Sequence, residues 1–506
     1  MIRAAGRAPI RYHCPVGQGG AGTDEPLRSA MLVVLFATPA LLPILGDVPV
    51  RDPDVWWHLA TGRWILAHHA VPHVDPFLAG WAEHPWVAYS WLFDVVVYGL
   101  FERLGHAGLT VYATVMSLAL VGAIYSLVYR ISRHFPIAVV LTALVSVSTW
   151  RHQGARTFLL TMTLFACELD LLWQARRTGR YASLLWLVPL FVFWANVHIQ
   201  FVYGLAMLAI AVVEVVYERS TAVGIGPRRS PDRRAALMIG IFLACCAATL
   251  VNPYGWRVYQ VVYEYAVQAA PWHYLLELRA PTFRSPLDWV VLALAFGGAF
   301  ALGGRRVRVF PLLLLAMAVV FSFRAMRDSW MVAMVGAVIL ADASAGVNVL
   351  VVPVRWPSVG AVAARSAAVL AIVASVWMLE SAAGPPPEAV IATSYPAGAA
   401  RFVETSKLEG PLFNHMNWGG YLIWRLPDHP PSIDGRTNVQ GDEALDRSMR
   451  VWNAARRWQD DPKLAAAGIV IADLTEPLTD RLRTDPRFEL VYEDEVAAVF
   501  SAGSGH

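Results

Sequence analysis

Apolar runs of near-membrane-spanning length recur along this chain. They lie near residues 29–46, 108–128, 136–150, 158–175, 183–198, 199–217, 235–251, 286–303, 309–323, 329–347 and 362–380. Backbone groups left unpaired in lipid are costly, so such runs are compatible with helices and not with an open sheet. A span needs ~20 residues, and the count predicts a mainly α, polytopic transmembrane helical bundle of about eleven spans. Composition agrees, since 57% of the 506 residues are hydrophobic and only 16% are charged, against roughly 25% charge in a soluble domain. A net charge of +3 offers no footing for a nucleic-acid partner.

Sidedness follows from arginine. Only Lys407 and Lys463 are lysines among the 41 basic residues. Residues 87–103 are apolar but hold Asp94 and end at Glu102-Arg103. Read as an interfacial helix, this segment leaves Arg130/Arg133, Arg176/Arg177/Arg180, Arg228/Arg229/Arg233/Arg234, Arg305/Arg306/Arg308, Arg355 and Arg365 on one side, as the positive-inside rule requires. Arg3, Arg7, Arg11 and Arg28 put the N-terminus on that side too. The predicted organisation is a disordered cytoplasmic tail over 1–28, a transmembrane domain over 29–380 with its first external loop at 47–107, and an extracytoplasmic α/β domain over 388–506.

The last of these is announced by Gly384-Pro385-Pro386-Pro387, a linker signal. Strand-like runs follow at 411–413, 421–424, 468–472, 488–492 and 497–500, with helical stretches at 395–406 and 443–458. Gly419-Gly420 and Asp434-Gly435 read as turns, and a lid over the membrane site is one use for this domain. Cys14 falls in the tail, while Cys167, Cys245 and Cys246 fall in apolar spans. None has metal-ligand spacing.

With that topology, five polar clusters share the external face: Asp52/Asp54/His58, Arg151-His152-Gln153 with Arg156, Asn196 to Gln200, Asn252-Pro253-Tyr254-Gly255, and Arg324 to Asp328. Asp52 and Asp54 follow the first span directly. A carboxylate there can take the proton of an attacking hydroxyl, and two carboxylates one residue apart also suit Mg²⁺ or Mn²⁺. The plain alternative is that Asp54 caps the helix that begins at Val55. Arg156, Arg324 and Arg327 have the fork geometry an anionic lipid phosphate needs, or they contact phospholipid headgroups. His58, Trp57 and His198 are candidates for substrate binding. Trp56, Trp57, Trp64, Trp81, Trp86 and Trp91 read mostly as an interfacial aromatic belt. His58, His68, His69, His73 and His84 form no clean zinc pattern.

An acidic pair in the first external loop, about eleven spans and an external C-terminal domain resemble the GT-C superfamily of membrane glycosyltransferases. The chain is also similar to a group of bacterial polytopic membrane proteins. The motifs concerned are Asp54 to Leu59 with Gly62 and Asp75-Pro76-Phe77, Trp194 to His198, Asn252 to Gly255, and Gly419 to Trp424 with Asp434 to Arg436. The resemblance implies a polyprenyl-phosphate-linked sugar as donor and a lipid, glycan or protein as acceptor. It implies a site at the outer face of the bacterial inner membrane, and Asp54 or Asp52 as catalytic base. The acidic pair departs from the family's adjacent carboxylates, because Pro53 separates the two. The competing expectations are a non-catalytic transporter or scaffold and an O-antigen-ligase-like enzyme. Transporters tend to carry inverted repeats and mid-membrane charges, and neither is evident here.

Overall fold

The computed structural model describes residues 24–46, 48–80, 83–221, 229–303, 308–345 and 358–503. Cys14, Trp81, Arg3, Arg7, Arg11, Arg228, Arg305, Arg306 and Arg355 lie outside the described residues.

Each of the apolar runs carries a helix. The longer helices in chain order are α1 (Asp24–Leu45), α2 (Pro53–His68), α3 (Trp91–Leu104), α4 (His106–Ser132), α5 (Phe135–Ser148), α6 (Phe158–Thr178) and α7 (Leu187–Val197). Next come α8 (Phe201–Thr221), α9 (Arg229–Ala248), α10 (Arg257–Val267), α11 (Pro286–Gly303), α12 (Val309–Arg324), α13 (Ser329–Ser344) and α14 (Val359–Ala383). Among the described residues six helices, α1, α4, α6, α8, α11 and α14, are long and apolar enough to cross a membrane. The chain is a membrane protein built on a helical bundle. Helix α1 begins at Asp24, inside the stretch expected to be a tail.

Helix α13 is buried along nearly its whole length and packs against α11, α12, α4 and α5. A helix apolar all round is stable only when neighbours or lipid surround it. Ionisable residues gather at both ends of the bundle. At one end Arg130 meets Asp170 at 2.5 Å, and Arg176 pairs with Glu214 at 2.6 Å. Arg308 meets Asp342 there as well. The opposite end carries the head of α2, the head of α6, the tail of α7 and the tail of α12.

The C-terminal unit contains α15 (Ala397–Thr405), β1 (Leu412–Asn414), α16 (Met416–Arg425), α17 (Thr437–Trp452), β2 (Ile469–Asp473), β3 (Phe488–Glu493) and β4 (Ala497–Ala502). Its sheet runs β1-β2-β4-β3, with β1 parallel to β2 and the remaining pairs antiparallel. One expectation fails: residues 421–424 are not a strand, and Gly419-Gly420 is not a turn, because both lie inside α16. Residues 418–423 are all buried, so no polar face marks the helical period, and a short apolar run is ambiguous between helix and strand. Helix α16 packs on α2. Trp56 stands edge-on to Tyr421 at 5.2 Å and to Tyr395 at 5.7 Å, so one apolar core runs through the bundle and this unit.

Candidate active site

Pro53 starts α2, where its missing N–H costs nothing. Asp52 is the N-cap and accepts the Asp54 N–H at 3.0 Å. The capping role expected of Asp54 therefore belongs to Asp52. Asp52 also pairs with Arg156 and does not line the nearby cavity.

That cavity, of about 750 Å³, holds Asp54. Asp54 accepts Trp57 Nε1–H at 3.2 Å and meets Arg156 at 3.1 Å. Its side chain stays 28% exposed against 9% for Asp52, so Asp54 is the carboxylate a ligand can reach. Burial pushes the Asp54 carboxyl above the usual carboxylate range, with Arg156 pulling the other way. A base with a raised pKa is better matched to proton transfer near neutrality.

Trp57, His58, Arg156, His198, Arg324 and Arg327, singled out from the sequence, all line this same cavity. Arg156 is saturated by Asp52, Asp54 and, at 3.1 Å, Glu277. It organises carboxylates and leaves little for a phosphate. Arg327 is freer. Among the described residues its one ion pair, to Glu277, is 3.5 Å long, and its buried Nε has no partner. Arg324 lies 4.2 Å over the Trp272 ring. Glu277 is drawn two ways: desolvation would raise it, but Arg156 and Arg327 hold it below the usual glutamate range.

The histidines differ. His58 Nδ1 lies 2.5 Å from Asp94. His198 Nδ1 lies 2.6 Å from Thr161 Oγ1, deep in the wall of the cavity. His152 donates from Nε2 to the Arg327 carbonyl at 2.8 Å, and burial lowers its pKa to about 4.

The aromatic belt expected of the first loop is corrected at three positions. Trp56, Trp57 and Trp86 are buried, because the C-terminal unit covers them. The Asn252 to Gly255 segment does not reach the cavity. Its Asn252 amide bonds the Thr249 and Gly255 carbonyls, and its Tyr254 hydroxyl bonds the Pro72 carbonyl at 2.8 Å. Asn196 likewise ties segments together, accepting from Trp91 Nε1 and donating to Val251 O at 2.8 Å each.

Asp52 and Asp54 do not fit a divalent ion here, since both face the Arg156 guanidinium. Among the described residues no three His, Cys, Asp or Glu side chains gather as a ligand set.

The C-terminal unit closes one side of the cavity through His415, Asn417, Gly435, Arg436 and Asn438. Arg436 is clamped between Asp75 of the first loop, at 3.1 Å, and Asp434, at 2.5 Å. All three are buried, and the guanidinium lies 4.5 Å over Trp86. The segment after α9 is fastened to the same unit. Tyr265 donates to Asn438 Oδ1 at 3.0 Å, and the Ala269 and Ala270 amides donate to Asp442. Sequence reading missed Glu277, Tyr265 and Asp94. Only Asp94 carried a signal, as a carboxylate inside an apolar helix.

No family model and no curated protein sequence matches the chain. Among solved structures, the oligosaccharyltransferase of Archaeoglobus fulgidus in its apo form is similar, with a TM-score of 0.51 and 11% identity over 89% of this chain and 69% of that one. ArnT from Cupriavidus metallidurans bound to undecaprenyl phosphate gives a TM-score of 0.46 and 16% identity over 94% and 98%, and its apo state gives 0.46 and 15% over the same shares. The chain thus shares its overall fold with the Archaeoglobus fulgidus oligosaccharyltransferase.

Proposed function

We propose that this chain is a membrane glycosyltransferase that moves a sugar from a polyprenyl phosphate to an acceptor hydroxyl. The observation that carries the reading is the meeting of one accessible carboxylate, Asp54, with the guanidinium groups of Arg324 and Arg327 in a single cavity. That cavity continues between α8 and α12, where Val202, Tyr203, Ala206 and Phe321 line it, an apolar reach suited to a lipid tail. The likeness in fold to an oligosaccharyltransferase supports the class by analogy alone.

In the reaction, the acceptor oxygen bonds to the anomeric carbon as that carbon's bond to the phosphate oxygen breaks. Asp54 takes the hydroxyl proton. A single displacement inverts the anomeric configuration. The departing phosphate carries the developing charge, and Arg327, with its unpartnered Nε, and Arg324 stabilise it where it forms. Glu277 balances Arg327 while no phosphate is present. No step uses a metal. The arginine clusters at the far end of the bundle support a cytoplasmic placement for that end. The cavity then faces the outside of a bacterial inner membrane, where a lipid, glycan or protein acceptor would arrive.

Purified chain in lipid nanodiscs, given a panel of polyprenyl-phosphate sugars and membrane extract as acceptor, tests this. Release of free polyprenyl phosphate from one donor is the expected result. If no donor is consumed and radiolabelled polyprenyl phosphate does not bind, the reading is wrong.

A further inference from the structure

Asp94 is completely buried in α3, a helix otherwise apolar on that face. Burying a carboxylate is costly unless partners offset the lost solvation. Its partners are the His58 imidazole at 2.5 Å and the Ser90 hydroxyl at 3.2 Å. The approach is built into the backbone. Gly62 stands one helical turn after His58, and a Cβ on it would lie 2.2 Å from the Asp94 carbonyl oxygen. Only glycine there lets α2 and α3 come close enough for the pair to form. Phe93 meets the imidazole edge-on at 4.8 Å, and Trp57 covers it at 3.5 Å.

A carboxylate at Nδ1 makes that nitrogen the donor, which leaves Nε2 with its lone pair for the cavity. His58 lines that cavity, as does Asp54, four residues earlier on the same helix face. The titratable groups around the imidazole are Asp54 on its own helix, Asp94 on α3, and His198 at the end of α7. Arg156 acts on it through Asp54, and Arg436 acts through Asp94.

We propose that His58, fixed in one tautomer by Asp94, is the second proton carrier of this site: its Nε2 receives the proton that Asp54 takes from the acceptor. The transfer leaves Asp54 as carboxylate and His58 as imidazolium, with Asp94 as counter-ion. The imidazolium then loses the proton to water, and both groups return to their starting states. This rests on the glycosyl-transfer reading, and Asp94 enters it as a positioning residue.

The test has two arms on the full chain in nanodiscs. In the first, ¹⁵N-imidazole NMR follows His58, assigned with His58→Gln. The expected neutral form carries its proton on Nδ1, the nitrogen that faces Asp94. A proton on Nε2 overturns the proposal, and this arm needs no sugar donor. In the second arm, transfer is followed against pH. His58→Gln keeps an N–H for Asp94, yet should lose on the order of 10²-fold in rate near neutrality and the imidazole-controlled acid limb. Asp94→Asn should distort the same limb. A His58→Gln profile with the wild-type shape sinks the proposal and leaves the reading standing if Asp54→Asn is dead. Full activity of Asp54→Asn sinks the reading itself.

Discussion

Gly435 of the C-terminal unit touches Asp54 at the head of α2: a Cβ on Gly435 would stand 2.8 Å from Asp54 Oδ1. The soluble-looking end of the chain thus forms a wall of the site that the membrane bundle begins. Gly435→Ala is expected to push Asp54 aside and lower transfer on the order of 10²-fold, since small displacements of a reacting group cost that much. Its melting temperature should stay near wild type. Donor consumption measured beside thermal unfolding checks both parts.

Arg436 holds that wall in place from between Asp75 and Asp434. Removing one partner of a buried ion pair costs about 3–5 kcal/mol. Arg436→Gln should therefore loosen the C-terminal unit from the first loop. Limited proteolysis would show this as faster cleavage after residue 384, and an unchanged digestion pattern would contradict it.

His152 stays neutral in the folded chain, its pKa lowered by burial from 6.5 to about 4. The unfolded chain binds this proton first as pH drops. The stability that neutral His152 contributes is thus complete above pH ~6.5 and is lost between there and pH ~4. His152→Gln, which can still donate to the Arg327 carbonyl, should flatten the thermal-stability curve over that window. The check is melting temperature against pH for the two proteins.

Arg327 is expected to matter more for chemistry than for folding. Arg327→Gln should lower the rate of the bond-breaking step by about 10²- to 10³-fold, as loss of one preorganised donor does. Single-turnover consumption of a bound donor measures it.

The bundle was legible because each apolar run is long enough to need burial on its own, and each carries a helix. The cavity was legible in part. Asp54, His58, Arg156, His198, Arg324 and Arg327 sit beside span ends, and topology alone gathers them. The cap was offered to Asp54 and not to Asp52 because capping depends on which residue has extended backbone, and Pro53 decides that. Glu277 was invisible because its meaning lies in Arg156 and Arg327, both distant in sequence. Residues 421–424 were read as a strand because unbroken burial over 418–423 erased the helical period. Trp56, Trp57 and Trp86 looked interfacial because nothing local announces that a unit more than 300 residues later covers them.

The central claim is that Asp54, and not its neighbour, takes the acceptor proton. The most direct measurement compares single-turnover sugar transfer by wild type, Asp54→Asn and Asp52→Asn, with donor binding followed in parallel. The account predicts that Asp54→Asn binds donor but transfers about 10²- to 10⁴-fold more slowly. Asp52→Asn, still able to cap α2, should lose far less. Near-wild-type transfer by Asp54→Asn, with donor bound, would contradict it.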